Sequence, residues 1–209
     1  MNKARAILPL SVTLISSACV APFSDFQHAT LVPQGEYEVT PSYSYVQSSF
    51  DGEREKFLDE FGLQLATGLS DRTELRVRYH LQSIEEDRIS VLAAGPKFSL
   101  APDRLAFYSP IGLGFGSGIE SSETWQIQPT LIGTLPASPS VEVNVSAKGL
   151  VWLNSDADNL LAFNLGLGLG PALARWALRP EVGVLINPGE DGSFWHYGLA
   201  ISFMPGSAR

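Results

Sequence analysis

From residue 35 to residue 204, large apolar side chains alternate with small or polar ones at a period of two, and the pattern restarts ten times. Successive side chains of a β-strand point to opposite faces, so a period of two means strands with one greasy face and one quieter face. The last run reads Phe194-Trp195-His196-Tyr197-Gly198-Leu199-Ala200-Ile201-Ser202-Phe203. Its odd positions from Trp195 onward are large and apolar; His196, Gly198, Ala200 and Ser202 are small or polar. This rhythm commits the chain to an all-β fold. No stretch of 18 apolar residues exists outside the N-terminal region, which argues against a bundle of membrane helices.

The ten segments fall at 35–46, 57–68, 73–84, 88–98, 104–115, 123–135, 140–153, 159–169, 174–187 and 193–204. Each is bounded by turn residues and is long enough for a tilted membrane strand of about 9–11 residues. Segment 159–169 is the clearest, with Leu161, Phe163, Leu165, Leu167 and Leu169 on one face and Ala162, Asn164, Gly166 and Gly168 on the other. Segment 88–98 is the weakest. Its phase slips near Ala93-Ala94-Gly95, where a β-bulge is expected.

The connections alternate in character. Those after the even strands are tight: Ser70-Asp71-Arg72, Pro102-Asp103, Ala137-Ser138-Pro139 and Pro171-Ala172. Those after the odd strands read as longer and acidic. They carry Asp51, Glu53, Glu55, Glu85, Glu86, Asp87, Glu120, Glu123, Asp156, Asp158, Glu190 and Asp191, against only Arg54, Lys56 and Arg88. Four turns on one rim and five loops on the other is what an even-stranded up-and-down barrel requires.

Alternation alone does not say which face is inside. A soluble barrel of the lipocalin kind would turn the apolar face inward. The second face here is then a poor water-exposed surface, because in places it is Ala106, Gly112, Gly114, Ala162, Gly166 and Gly168. It suits a crowded lumen. Where that face is charged the signs are mixed: Glu36, Glu38, Glu74, Glu142 and Glu181 can meet Arg76, Arg78, Lys148 and Arg179. An ionic network inside the barrel is expected, since buried charges persist only when paired. Tyr37, Tyr45, Phe61, Trp125, Trp176, Trp195 and Phe203 lie near strand ends on the apolar faces, where they would form interfacial girdles.

Residues 1–18 read as a signal peptide, with Lys3 and Arg5 ahead of a short apolar region from Ala6 to Ile15. Ser16-Ser17-Ala18-Cys19 resembles a bacterial lipoprotein cleavage site, which would make Cys19, the chain's single cysteine, a lipidated first residue. Ordinary secretory cleavage nearby is the alternative. Residues 19–34 read as an irregular linker, 35–204 as the barrel and 205–209 as a short tail.

In pattern, residues 35–204 resemble bacterial outer-membrane β-barrel proteins, most specifically in Tyr197–Phe203 and in Leu69-Ser70-Asp71-Arg72-Thr73-Glu74-Leu75. The lead-in Ala29-Thr30-Leu31-Val32-Pro33-Gln34-Gly35 is similar to the approach to a first strand in uncharacterised transporter-like barrels. The resemblance implies a ten-stranded antiparallel up-and-down transmembrane β-barrel in the bacterial outer membrane, with periplasmic termini. It implies contact with membrane lipid and lipopolysaccharide, and recognition of the last strand by the barrel-assembly machinery. Met204 to Arg209 follow Phe203, a departure from a strictly terminal aromatic residue.

No catalytic motif, cofactor fingerprint or metal-ligand spacing stands out. Gly112-Leu113-Gly114-Phe115-Gly116-Ser117-Gly118 lacks both the spacing and the βαβ context of a nucleotide loop. A net charge of −8 with no basic stripe argues against a nucleic-acid partner. The leading expectation is a transporter-like or small gated pore. The second is a structural or adhesive barrel that binds through its acidic loops. A third places His80, His196 and Glu60 together near the acidic rim as a hydrolase site, because a carboxylate can orient a histidine base. Against it stands the plainer reading of three lumen-filling polar residues.

Overall fold

The computed structural model describes residues 22–154 and 157–205. Ten antiparallel strands close into a barrel. They are β1 (Tyr37–Phe50), β2 (Glu53–Ser70), β3 (Thr73–Ile84), β4 (Asp87–Ala101), β5 (Leu105–Tyr108 continued by Ile111–Gly116), β6 (Gln126–Ile127 continued by Thr130–Ser138), β7 (Val141–Trp152), β8 (Leu160–Ala172), β9 (Trp176–Ile186) and β10 (Ser193–Phe203). Each strand pairs with its sequence neighbours, and β10 closes the ring against β1 through Tyr45↔Tyr197 and Val39↔Phe203. Closure leaves no edge with unpaired backbone groups, which an apolar solvent would not tolerate.

The two faces sort as the period of two requires. Leu63, Leu65, Leu92, Leu131, Phe163, Leu165 and Leu199 stand on the outside, with Phe163 48% and Leu165 51% exposed. The inner face carries Thr40, Gln64, Arg76, Arg78, Lys148 and Arg179, all buried. An apolar exterior around a polar interior is the inverse of a soluble barrel and marks a lipid-facing belt.

Three expectations are corrected. The first concerns β4, which keeps its phase without a bulge at Ala93-Ala94-Gly95. Its pairing with β3 runs unbroken from Thr73↔Phe98 to Ile84↔Asp87. Ile89, Val91 and Ala93 simply face inward, because this part of the lumen is itself apolar. The irregularity belongs to the neighbours: β5 breaks at Ser109-Pro110 and β6 at Gln128-Pro129, since proline has no N–H for the ladder. Pro110 passes so near Gly95 that a Cβ there would lie 2.4 Å from the Pro110 Cα.

The second concerns the loops after odd strands, which are not all long. Asp51 and Gly52, both with positive φ, form a two-residue hairpin turn that lets β1 and β2 run on past residues 46 and 57. Glu85-Glu86 is equally short. The hydrophobic pattern lapses there because both faces of the hairpin have left the apolar belt, not because the strands end. The third concerns 19–34: its described part, 22–34, has little regular structure, yet residues 22–29 and Val32 are buried. They lie inside the barrel, with Phe23 against Phe57 and Phe194 near the loop-side end, so the described chain does not begin at the turn-side rim where both termini are expected. Cys19 and the signal peptide lie outside the described residues.

The exterior yields a direct test. Leu165→Arg, at mid-strand on the lipid side, should lower the unfolding free energy in vesicles by about 2–4 kcal/mol, whereas Leu135→Arg near the turn-side rim should cost about 0–1 kcal/mol. Urea titration of bilayer-folded protein measures both. Equal costs would mean that no apolar belt separates the two positions.

Candidate functional site

The site is the filled lumen, built from the inner faces of the strands around the segment Pro22–Val32. The segment runs from the loop-side end of the barrel at Phe23 to the turn-side end at Val32. With no ladder of its own, its backbone takes partners from wall side chains. The Glu181 carboxylate accepts from the N–H groups of Asp25 at 2.8 Å and Phe26 at 2.7 Å. Gln64 Nε2 donates to the Asp25 carbonyl at 2.7 Å, and the Ala29 N–H donates to Thr134 Oγ1 at 2.7 Å. The Val32 N–H donates to Glu74 Oε2 at 2.8 Å. Lys148 Nζ donates to the Pro22 carbonyl at 2.8 Å, and Arg78 donates to the Ser24 carbonyl.

Asp25 is the centre of this arrangement. Its Oδ1 lies 3.1 Å from both Arg78 Nη1 and Lys148 Nζ. Its Oδ2 accepts from Ser146 Oγ and from Asn164 Nδ2, each at 2.6 Å. A carboxylate with its lone pairs filled and two cations beside it is a buried charge that persists.

A second cluster lies toward the turn-side rim. Arg76 bridges Glu38 at 2.9 Å and Glu74 at 2.8 Å, and Lys97 stands 3.4 Å from Glu74. His28, from the segment itself, lies 3.3 Å from Glu38. A third pair joins Arg179 to Glu142 at 2.8 Å, with Arg179 Nε donating to Ser202 at 2.7 Å. The structure thus brings Glu38, Glu74, Arg76, Arg78, Glu142, Lys148, Arg179 and Glu181 into the lumen. They form three ion-paired groups and one backbone cap, not a single network. Glu36 is only half-buried and belongs to none of them; it borders a cavity of about 240 Å³ at the turn-side rim with His28, Glu38 and Arg175.

The inward glycines make room for these groups. A Cβ at Gly183 would overlap His196 and Asn164, one at Gly168 would overlap Glu142, and one at Gly198 would lie 2.5 Å from the Phe26 ring. Toward the loops the lumen turns apolar. Phe23, Val46, Leu58, Leu150, Leu160, Leu185 and Phe194 pack together, with Phe50, Phe57 and Ile84 against them. Phe23 meets Phe194 edge-on at 6.0 Å.

His80, His196 and Glu60 do face the lumen, and all three are buried below this apolar cap. His80 Nδ1 stands 3.2 Å from Glu60 Oε1. Glu60 also accepts from Ser24 Oγ at 2.9 Å and Gln82 Nε2 at 2.9 Å, so its oxygens are engaged by the segment and by β3. His196 lies 3.0 Å from Asn164 Oδ1 and edge-on to Phe26.

Asp25, His28, Phe23 and Lys97 are the site residues that sequence reasoning missed. The first three stand in a segment without period. Lys97 sits on β4 beyond the apparent slip of phase. The signal available was compositional: Phe23-Ser24-Asp25-Phe26-Gln27-His28 mixes aromatic and ionisable residues more densely than a solvated linker needs.

A closed even-stranded barrel, apolar outside and ion-paired inside, decides the location. The protein is an outer-membrane β-barrel. The four connections after the even strands, all tight, and both ends of the strand order share one rim, the one such barrels turn to the periplasm. No protein-family profile and no curated protein matches the chain. Solved structures similar to it are membrane barrels. The attachment invasion locus protein Ail of Yersinia pestis is 14% identical over 82% of this chain and 99% of its own, with a TM-score of 0.39. The translocator domain of the autotransporter NalP from Neisseria meningitidis is 8% identical over 93% of both chains, with a TM-score of 0.48. An outer-membrane channel from Pseudomonas putida F1 is 10% identical over 87% of this chain and 99% of its own, with a TM-score of 0.47.

Asp25→Ala strands two buried cations and should lower the unfolding free energy by about 3–5 kcal/mol. Adding Lys148→Met should restore part of that loss, because it removes one stranded charge. Urea unfolding followed by tryptophan fluorescence tests both; simple additivity of the two losses would mean that Asp25 and Lys148 are not coupled.

Proposed function

We propose that this envelope protein is a self-plugged barrel: closed at rest by Pro22–Val32, and a narrow polar passage for small solutes once that segment is displaced. The observation that carries the reading is how the plug is held. Asp25, His28 and the backbone from Pro22 to Val32 contact the wall mainly through ion pairs and hydrogen bonds, contacts that water can replace. Buried polar atoms of Gln27, Thr40 and Arg179 have no partner among the described residues, so these residues do not by themselves satisfy the whole lumen. A ten-stranded wall suits a small passage at most, since about eight strands enclose a space just filled by side chains.

The histidines have no catalytic role on this reading. Both rings are buried under the cap, and Glu60 is already engaged by the plug. Membrane lipid surrounds the belt, and β10, ending on Phe203, is the strand offered to the assembly machinery. A second reading, a permanently closed barrel that binds through its acidic loops, is favoured by the apolar cap, which water does not readily enter.

Planar-bilayer recordings at high salt separate the two. Wild-type protein should be silent, while Asp25→Ala combined with Glu181→Gln should give brief small openings, and removal of residues 22–32 longer ones. Silence in all three, with each protein shown by heat-modifiable gel migration to be folded, would discard the passage and leave the closed barrel.

A further inference from the structure

The outside of the barrel carries one departure from its apolar rule. Pairing between β1 and β2 shifts register at Val46/Gln47, so that Val46 meets Leu58 and Gln47 meets Lys56. Phe57 is the extra residue of a β-bulge, and a bulge re-aims the side chains beyond it. Below it Asp59, Phe61 and Leu63 face outward. Above it Lys56 and Arg54 do, while Phe57 turns inward and packs 4.7 Å from the Phe194 ring.

The two cations meet aromatic faces on the exterior. The Arg54 guanidinium lies 5.7 Å from the Trp195 ring centroid, and Lys56 Nζ lies 5.8 Å from that of Tyr45. Asp59 is held between Lys56 Nζ at 2.6 Å and the Tyr43 hydroxyl at 2.8 Å, and Tyr43 lies against Phe61 at 5.1 Å. Asp59 is the counterion of Lys56, whereas among the described residues no carboxylate pairs with Arg54. Glu53 and Glu55 alternate onto the opposite face of β2. Arg88, the remaining cation among the acidic connections, follows the outward phase of β4, beside Ser83 of β3, which in turn pairs with Asp59. All three basic residues of an otherwise acidic rim therefore lie on the outer perimeter of adjacent strands β2 to β4, at the loop end of the lipid belt.

We propose that this face, built from Arg54, Lys56 and Arg88 over Tyr45 and Trp195, binds the phosphorylated headgroup of a lipid in the outward-facing leaflet. Aromatic rings at membrane depth place the cations at headgroup level. Arginine supplies a planar donor pair that matches phosphate, and a ring face orients the guanidinium without neutralising it. The cations are spread across neighbouring strands, which fits a headgroup with more than one phosphate better than a single small anion. This reading does not depend on the plug.

Native mass spectrometry of the full chain in non-ionic detergent tests it, using lipid A with two phosphates, lipid A with one, and phosphatidylcholine as probes. Wild-type protein should retain the diphosphorylated lipid in preference to the other two. Arg54→Gln with Lys56→Gln should weaken that retention roughly fivefold to tenfold, while Arg72→Gln with Arg104→Gln at the turn-side rim should leave it unchanged. Heat-modifiable migration checks that both variants are folded. Equal retention of the three lipids by wild-type protein, or undiminished retention by the Arg54/Lys56 variant, overturns the proposal.

Discussion

The interior of this barrel depends on the carboxylate of Asp25. The strands themselves bury five acids, Glu38, Glu60, Glu74, Glu142 and Glu181, and five bases, Arg76, Arg78, Lys97, Lys148 and Arg179. The numbers balance but the positions do not. Arg76, Lys97 and Arg179 find wall carboxylates; Arg78 and Lys148 find Asp25. Glu181, which could have served them, instead receives two backbone N–H groups of the plug. The wall is thus incomplete by itself, and the plug supplies both a charge and the donors that let Glu181 stay buried. Two buried cations without a counterion would cost several kcal/mol each, so the segment is as much a part of the fold as any strand.

The strands were legible because a ladder imposes a period, and a period survives in sequence. Ten runs of alternation, tight turns after even strands and a last strand that pairs with the first all follow from it. The plug was illegible for the same reason. Its backbone hydrogen bonds go to Glu60, Glu181, Thr134 and Glu74 in place of a neighbouring strand, and such contacts follow no spacing. Residues 19–34 therefore read as linker on the strength of Pro22 and Pro33. Lys97 was lost in another way: Ile89 and Val91 face an apolar stretch of lumen, so the contrast between faces fades on β4 although the backbone phase does not. The paired charges of the lumen could be anticipated as a group, but their partition into separate clusters required the plug, because Asp25 divides Arg78 and Lys148 from the rest.

One irregularity links the two sides of the wall. Without the Phe57 bulge, continued alternation would send Arg54 and Lys56 into the barrel mouth and Phe57 into the lipid interface. With it, Phe57 completes the apolar cap against Phe23 and Phe194, and the two cations settle on Tyr45 and Trp195 outside. Burying either cation among Phe50, Phe194 and Leu58 would require a partner that the cap does not contain. A single inserted residue thus keeps the cap free of charge and gives the exterior its only ring-seated cations among the described residues.

The closure has two halves of different character, and this gives any opening a direction. Toward the loops, Phe23 is held by dry contacts that weaken only if apolar surface is exposed. Toward the turns, Gln27, His28 and Thr30 sit among polar groups, some of them unpaired, beside a cavity that opens at the rim. Water reaches the second half first. Hydration there would loosen His28 from Glu38 and Val32 from Glu74 while Asp25 still anchors the middle, so the Asp25 cluster is the last polar contact to yield before the cap. Movement toward the loops would drag an ionised carboxylate through the phenylalanines. Movement toward the turns instead draws Phe23 through a polar lumen whose side chains can keep the carboxylate solvated, and is the cheaper route.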